Sequence, residues 1–145
     1  MDNIQIRSAT IEDGISVYKL ICELESYTLD KEVFNVNFRR NLNSSNIHYL
    51  VATMDNHIAG FISSHGQILL HHEGLVYEIQ EIVVSNEHRS KGIGKKLLHE
   101  LESIISKEDY KLLEVACNMK RKDAHRFYLA NGFDQTHYKF TKEKQ

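Results

Sequence analysis

Glu78-Ile79-Gln80-Glu81-Ile82-Val83-Val84 runs without a break into Ser85-Asn86-Glu87-His88-Arg89-Ser90-Lys91-Gly92-Ile93-Gly94-Lys95-Lys96-Leu97-Leu98. The first stretch is rich in β-branched residues and reads as a strand. The second becomes basic, then helical, because Ile93, Leu97, Leu98, Leu101, Ile104 and Ile105 recur at steps of three and four and form one apolar stripe. The helix therefore starts near Gly92. Its first turn has backbone N–H groups without intrahelical acceptors and carries the positive end of the dipole, so the amides of residues 91–95 can meet an anion. Gly92 and Gly94 lack a Cβ and let a phosphate come close to the backbone, and Arg89, Lys91, Lys95 and Lys96 add positive charge. Strand, basic loop and helix in this order predict a pyrophosphate site.

Spacing excludes two common phosphate loops. A Walker loop needs a glycine five residues before its Gly-Lys pair and a Ser or Thr after it, whereas Gly94-Lys95 has Arg89 before it and Lys96 after it. A dinucleotide fingerprint needs a third glycine where Leu97 stands.

Outward from this stretch, the elements alternate as in an α/β or α+β domain. Residues 4–7 read as a strand, and Thr10 with Asp13 makes a capping-box-like start for a helix running to residue 25. A second helix is expected over 31–42. A hairpin follows, with strands 48–54 and 58–64 joined by a turn at Asp55-Asn56. A hairpin-like crossing through 68–71 leads to the strand 75–84. After the long helix come a strand at 112–117, a helix at 124–131 ended by Gly132, and a final strand at 137–140.

The chain has 145 residues, enough for a single domain over 1–145 and too few for two ordinary ones. Its 18 basic and 20 acidic residues give a net charge of -2, with no basic stripe interleaved with aromatics, so no nucleic-acid partner is expected. The N-terminus shows no basic region leading into an apolar run, and no apolar stretch approaches the ~20 residues of a membrane span, which predicts a cytoplasmic protein without membrane contact. Cys22, in an expected helix, and Cys117, in an expected strand, suit buried reduced thiols.

Arg89, Gly92 and Gly94 spell Arg-x-x-Gly-x-Gly, which resembles the pyrophosphate loop of the GNAT superfamily of N-acetyltransferases. The preceding strand, the following helix, Leu112 to Asn118 and Asp123 to Phe133 come in the superfamily's order. Further runs, at 17–25, 69–84, 118–133 and 137–142, resemble aminoalkylphosphonate N-acetyltransferases over nearly the whole chain. The resemblance implies a central mixed, mostly antiparallel, splayed sheet flanked by helices. It also implies acetyl-CoA as cosubstrate, a small primary amine, such as an aminoalkylphosphonate, as acceptor, direct transfer in a ternary complex, and a homodimer as a common assembly.

The same resemblance distributes the roles. Backbone of Ile82, Val83 and Val84 is expected to face the thioester, with the Val83 amide nearest its carbonyl. Arg89, Ser90, Lys91, Gly92, Ile93, Gly94 and Lys95 are expected to hold the pyrophosphate, with Asn118 and Tyr128 beside the rest of the cofactor. Tyr128 is the candidate acid, because a phenol of reference pKa about 10 keeps its proton at neutral pH and can give it to a thiolate. Cys117 is the weaker candidate for that role. Glu78 is the candidate base, directly or through a water. Uninterrupted alternation would put Glu78 and Glu81 on opposite faces of the strand. Arg39, Arg40, Lys120, Arg121 and Arg126 are the cations from which a phosphonate site could be built. A divalent ion is implied as well, with His71, His72 and Glu78 nearby, although no metal-ligand spacing occurs in the chain. An acetyltransferase for another small amine (a polyamine or an amino acid) and a non-catalytic acyl-CoA sensor are the alternatives.

Overall fold

Asp55 and Asn56 both take positive φ, 50° and 67°, and close the tight turn that sets the sheet's register. The computed structural model describes residues 3–145. The elements are β1 (Ile4–Ser8), α1 (Gly14–Glu25), α2 (Lys31–Leu42), β2 (Ile47–Met54), β3 (His57–Leu69), β4 (Gly74–Val84), α3 (Ile93–Ile105), β5 (Tyr110–Val115) and α4 (Lys122–Ala130). The five strands lie in chain order. All neighbours are antiparallel except β4 and β5, which run parallel across the α3 crossover.

Each face of the sheet is covered. Leu50, Ile62, Tyr77 and Ile79 meet the α3 stripe of Ile93, Leu97, Leu98, Leu101 and Ile105 on one side. Val51, Phe61 and Val83 meet Val17, Leu20 and Ile21 of α1 and Phe38 of α2 on the other. The α3 stripe is buried as its spacing requires.

One irregularity in β4 decides which side chains reach the second face. Ser63 pairs with Glu81 and Ser64 with Ile79, so Gln80 is an extra residue, a β-bulge. Tyr77 and Ile79 face α3 before it, Ile82 and Val84 after it. Alternation restarts at the bulge, and Glu78 and Glu81 share the α1/α2 face instead of lying on opposite ones. The expectation of opposite faces fails because a period of two holds only while pairing is one to one.

Three boundaries also differ from the sequence reading. The expected crossing at 68–71 is the continuous end of β3 and a short 3-10 turn, Leu70–His72. β5 ends at Val115, which leaves Cys117 in the connection to α4. The expected strand at 137–140 does not form: Tyr138 and Phe140 are exposed, and no described strand pairs with them. A short alternating stretch has no strand energy of its own and needs a neighbouring ladder.

The start of α1 is fixed by charge. Asp13 accepts from Thr10 N–H at 2.7 Å and takes both guanidinium nitrogens of Arg7, at 2.7 and 2.9 Å. The Arg7 hydrogen bonds hold the Asp13 carboxyl below its ordinary range, against the opposing effect of its burial. A depressed folded value means that the stabilisation is present above the unfolded pKa of about 3.9 and is lost as pH falls through the lower folded value. Asp13→Asn is expected to cost about 1 to 3 kcal/mol at pH 7 and much less at pH 2, read from urea midpoints at both pH values. An equal loss at both would show that the charge plays no part.

Candidate functional site

β4 and β5 pair over residues 75–79 of β4, and beyond that point β4 continues to Val84 paired with β3 alone. The strands part and leave one edge of β4 open. The Ser85 N–H donates to Ala59 O at 2.8 Å, toward β3. Peptide direction alternates along a strand, so the Val83 N–H also points to β3, while those of Ile82 and Val84 open into the gap. The amide available to a carbonyl oxygen there is that of Ile82, with Val84 one repeat further on; Val83, expected in that role, supplies a core side chain instead.

At the end of the gap, residues 85–92 form a fixed loop. Ser85 Oγ lies 2.6 Å from His88 Nδ1, Asn86 N–H donates to Glu23 Oε1 of α1 at 2.8 Å, and Arg89 Nε donates to Val84 O at 3.4 Å. Ser90 and Gly92 have φ of 65° and 76°, and these left-handed residues turn the backbone into α3. The first bond of the α3 ladder is Lys96 N–H to Gly92 O at 3.1 Å, so the amides just before Lys96 face outward at the helix start. Loop, glycines and helix stand as the sequence predicts, and the arrangement can accept a diphosphate.

Tyr128 comes from α4, whose Phe127 lies against α3: a Cβ on Gly94 would sit 3.5 Å from the Phe127 ring. The Tyr128 ring stands edge-on to Phe127 and Phe133, with centroids 5.5 and 5.6 Å away. Burial, with a smaller effect from Cys117, pushes its phenol up to about 12. It is a protonated donor at any physiological pH. Cys117 is half-buried, and burial raises its thiol too. Asn118 is engaged in the backbone turn before α4: its Oδ1 accepts from Lys120 N–H at 2.9 Å and its O from Arg121 N–H at 3.0 Å.

The opposite face carries carboxylates. Glu78 is flanked by His65 on β3 and Glu114 on β5, in register on one face. Beyond the bulge, Glu81 lines a cavity of about 260 Å³ between α1, α2 and the sheet. Its walls include Phe34, Asn37, Phe38 and Asn41 of α2, with Tyr49 and Phe61 from the sheet. Asn41 Nδ2 donates to the Tyr49 hydroxyl at 2.7 Å. Burial is the main cause that raises the Tyr49 phenol, and Glu81 adds to it. Only part of this cavity has a signal in the sequence: Phe34, Phe38 and Asn41 mark one stripe of α2, while nothing in the chain links them to Tyr49, Phe61 and Glu81.

The expected cations fall elsewhere. Among the described residues no Lys or Arg lines the cavity; Arg39 and Arg40 are exposed on α2, and Arg126 pairs with Asp123 of its own helix. His71 and His72 sit in the β3–β4 turn with ring centroids 4.2 Å apart. Among the described residues no group of three or more His, Cys, Asp or Glu side chains could hold a metal ion, so the residues present do not fit the implied divalent ion. No described helix is long and apolar enough to cross a membrane.

Comparison with known proteins agrees with this geometry. Residues 12–144 match the model of the acetyltransferase (GNAT) domain. An aminoalkylphosphonate N-acetyltransferase from Salmonella typhimurium is 44% identical over 138 residues, covering 95% of this chain and 90% of the relative. Among solved structures, a transcriptional regulator from Bacillus halodurans superposes with a TM-score of 0.90 at 20% identity, covering 98% of this chain and 100% of that one. An aminoglycoside N-acetyltransferase in complex with CoA superposes with a TM-score of 0.89 at 14% identity, covering 100% and 97%. At such identities the structural likeness speaks for the fold.

Proposed function

The chain belongs to the GNAT acetyltransferase family and is an acetyl-CoA-dependent N-acetyltransferase, and from that premise we propose that its acceptor is a small aminoalkylphosphonate. The observation that carries the substrate is the 44% identity to an enzyme of that name over 95% of the chain, a span that takes in the carboxylate face and cavity as well as the cofactor loop.

In this reading the pyrophosphate of acetyl-CoA lies on residues 89–95 and its pantetheine arm follows the open edge of β4. The thioester carbonyl meets the Ile82 N–H, a donor already in place for the charge that develops on oxygen. Glu78 takes the proton of the ammonium and passes it to solvent. The freed nitrogen pair attacks the thioester carbon, and the C–S bond breaks as the tetrahedral intermediate collapses. Tyr128 gives its proton to the leaving sulfur, and the nitrogen proton released as the amide forms replaces it through solvent. Arg89 anchors the loop to Val84 and faces the diphosphate: Arg89→Ala should raise the KM for acetyl-CoA about 10-fold with the amine KM within a factor of about two. A rise in the amine KM instead would remove Arg89 from the cofactor side.

The carboxylates and the lack of Lys and Arg along the cavity favour a second reading, a small amine with more than one positive charge. Thiol release from acetyl-CoA with aminomethylphosphonate, 2-aminoethylphosphonate, matched amines without the phosphonate, and a diamine separates the two. Turnover confined to the phosphonates is expected. Preference for the diamine would overturn the substrate and keep the chemistry, and acetyl-CoA binding without turnover of any amine would mark a sensor.

A further inference from the structure

We propose that Glu81, held by Ser63, is the group that binds the substrate's ammonium and selects for it over a neutral head. The inference rests on the acetyl-transfer reading but not on the identity of the amine.

Glu81 is the residue common to the two halves of the site. Its side chain lines the cavity, and the next residue, Ile82, turns its N–H into the gap on the other edge of the strand. A nitrogen held at Glu81 therefore lies beside the place where the thioester carbonyl is polarised. The bulge at Gln80 produces this arrangement, since without the extra residue Glu81 would face α3 and its apolar core.

The carboxylate is also fixed. Ser63, fully buried, donates its hydroxyl to Glu81 Oε1 and accepts the Glu81 backbone N–H at 3.0 Å. Those two bonds define the rotamer and leave Oε2 without a protein donor among the described residues. Around it, Tyr49, Phe34, Phe38 and Phe61 present aromatic surface and no competing cation. An oriented carboxylate with one free oxygen in an aromatic-walled cavity suits a primary ammonium, by charge-assisted hydrogen bonding and cation–π attraction. Glu78, one repeat back on the same face, is then placed to accept a proton from a nitrogen that Glu81 has already located. Glu81 itself takes no part in the proton transfer.

The test compares wild type, Glu81→Gln, Glu81→Asp and Ser63→Ala, using whichever amine wild type turns over. Glu81→Gln should raise the amine KM about 10- to 100-fold while the acetyl-CoA KM stays within about twofold, and Ser63→Ala should raise the amine KM severalfold. Glu81→Asp, which restores the charge at shorter reach, should recover part of the loss. Inhibition by the matched alcohol, which carries a hydroxyl for the ammonium, should be nearly unchanged in Glu81→Gln, so the preference for charge disappears. A normal amine KM in Glu81→Gln, or equal weakening of amine and alcohol, overturns the proposal and leaves the acetyltransferase reading intact. Absence of turnover by wild type with every amine would strike the reading itself. Should Glu81→Gln fail to fold, Ser63→Ala with the same pair of ligands decides, since a purely structural contact would weaken both alike.

Discussion

Tyr128→Phe is expected to lower kcat by about 100-fold or more while leaving the acetyl-CoA KM within about threefold. The phenol is held in an apolar setting between Phe127 and Phe133, and its hydroxyl has no hydrogen-bond partner among the described residues, so it is free to donate. Burial raises its pKa to about 12, and it enters the reaction protonated. A thiolate, with a conjugate acid near 8.5 in water, would leave here into an apolar setting that solvates its charge poorly, so it gains most from a proton at the moment of C–S cleavage. Phenylalanine keeps the ring and its two edge-on contacts, so thermal stability should hold and the loss of rate isolates the hydroxyl. An unchanged kcat would mean that solvent or another group protonates the sulfur. A loss accompanied by a fall of several degrees in Tm would point to packing.

Glu78→Gln is expected to reduce kcat by about 100- to 1,000-fold at pH 7, with a defect that shrinks as pH rises. The reason lies in the substrate. An alkyl ammonium with a pKa near that of lysine, about 10.4, is almost wholly protonated at neutral pH, so the enzyme must remove a proton before nitrogen can attack. As pH approaches that value the free amine supplies itself and the base becomes dispensable. The measurement is kcat for wild type and variant from pH 6 to pH 10. Convergence at high pH supports the assignment, and a constant ratio would sink it. Glu81→Gln makes a useful contrast: its effect should fall on the amine KM, which distinguishes a carboxylate that binds the ammonium from one that deprotonates it. The two carboxylates can divide the work this way because the bulge puts them on one face.

Much of the cofactor side was legible in the sequence because it is local. Strand, loop and helix are consecutive in the chain, the α3 stripe is periodic, and the loop presents backbone, whose direction follows from the elements on either side. The helix start at Gly92 and the φ of 76° there agree with the glycine pattern. The acceptor side was less legible. Asn41, Tyr49, Phe61, Ser63 and Glu81 lie on α2, β2, β3 and β4, and nothing in their spacing along the chain announces that they meet. Sequence marks the cations for an anionic substrate by residue type alone, and the fold places Arg39, Arg40 and Arg126 away from the cavity. The final strand failed for a related reason, since alternation at 137–140 states a capacity to pair and a strand needs a partner.

By itself, then, the sequence determined the order of the elements, the apolar face of α3, the basic glycine loop and the tyrosine of α4, because each depends on neighbours within a few residues. Tertiary structure alone decided which face of β4 each glutamate occupies, which of its amides opens into the gap, and what lines the cavity. These follow from pairing between distant strands, where one unpaired residue, Gln80, reverses the direction of every side chain beyond it.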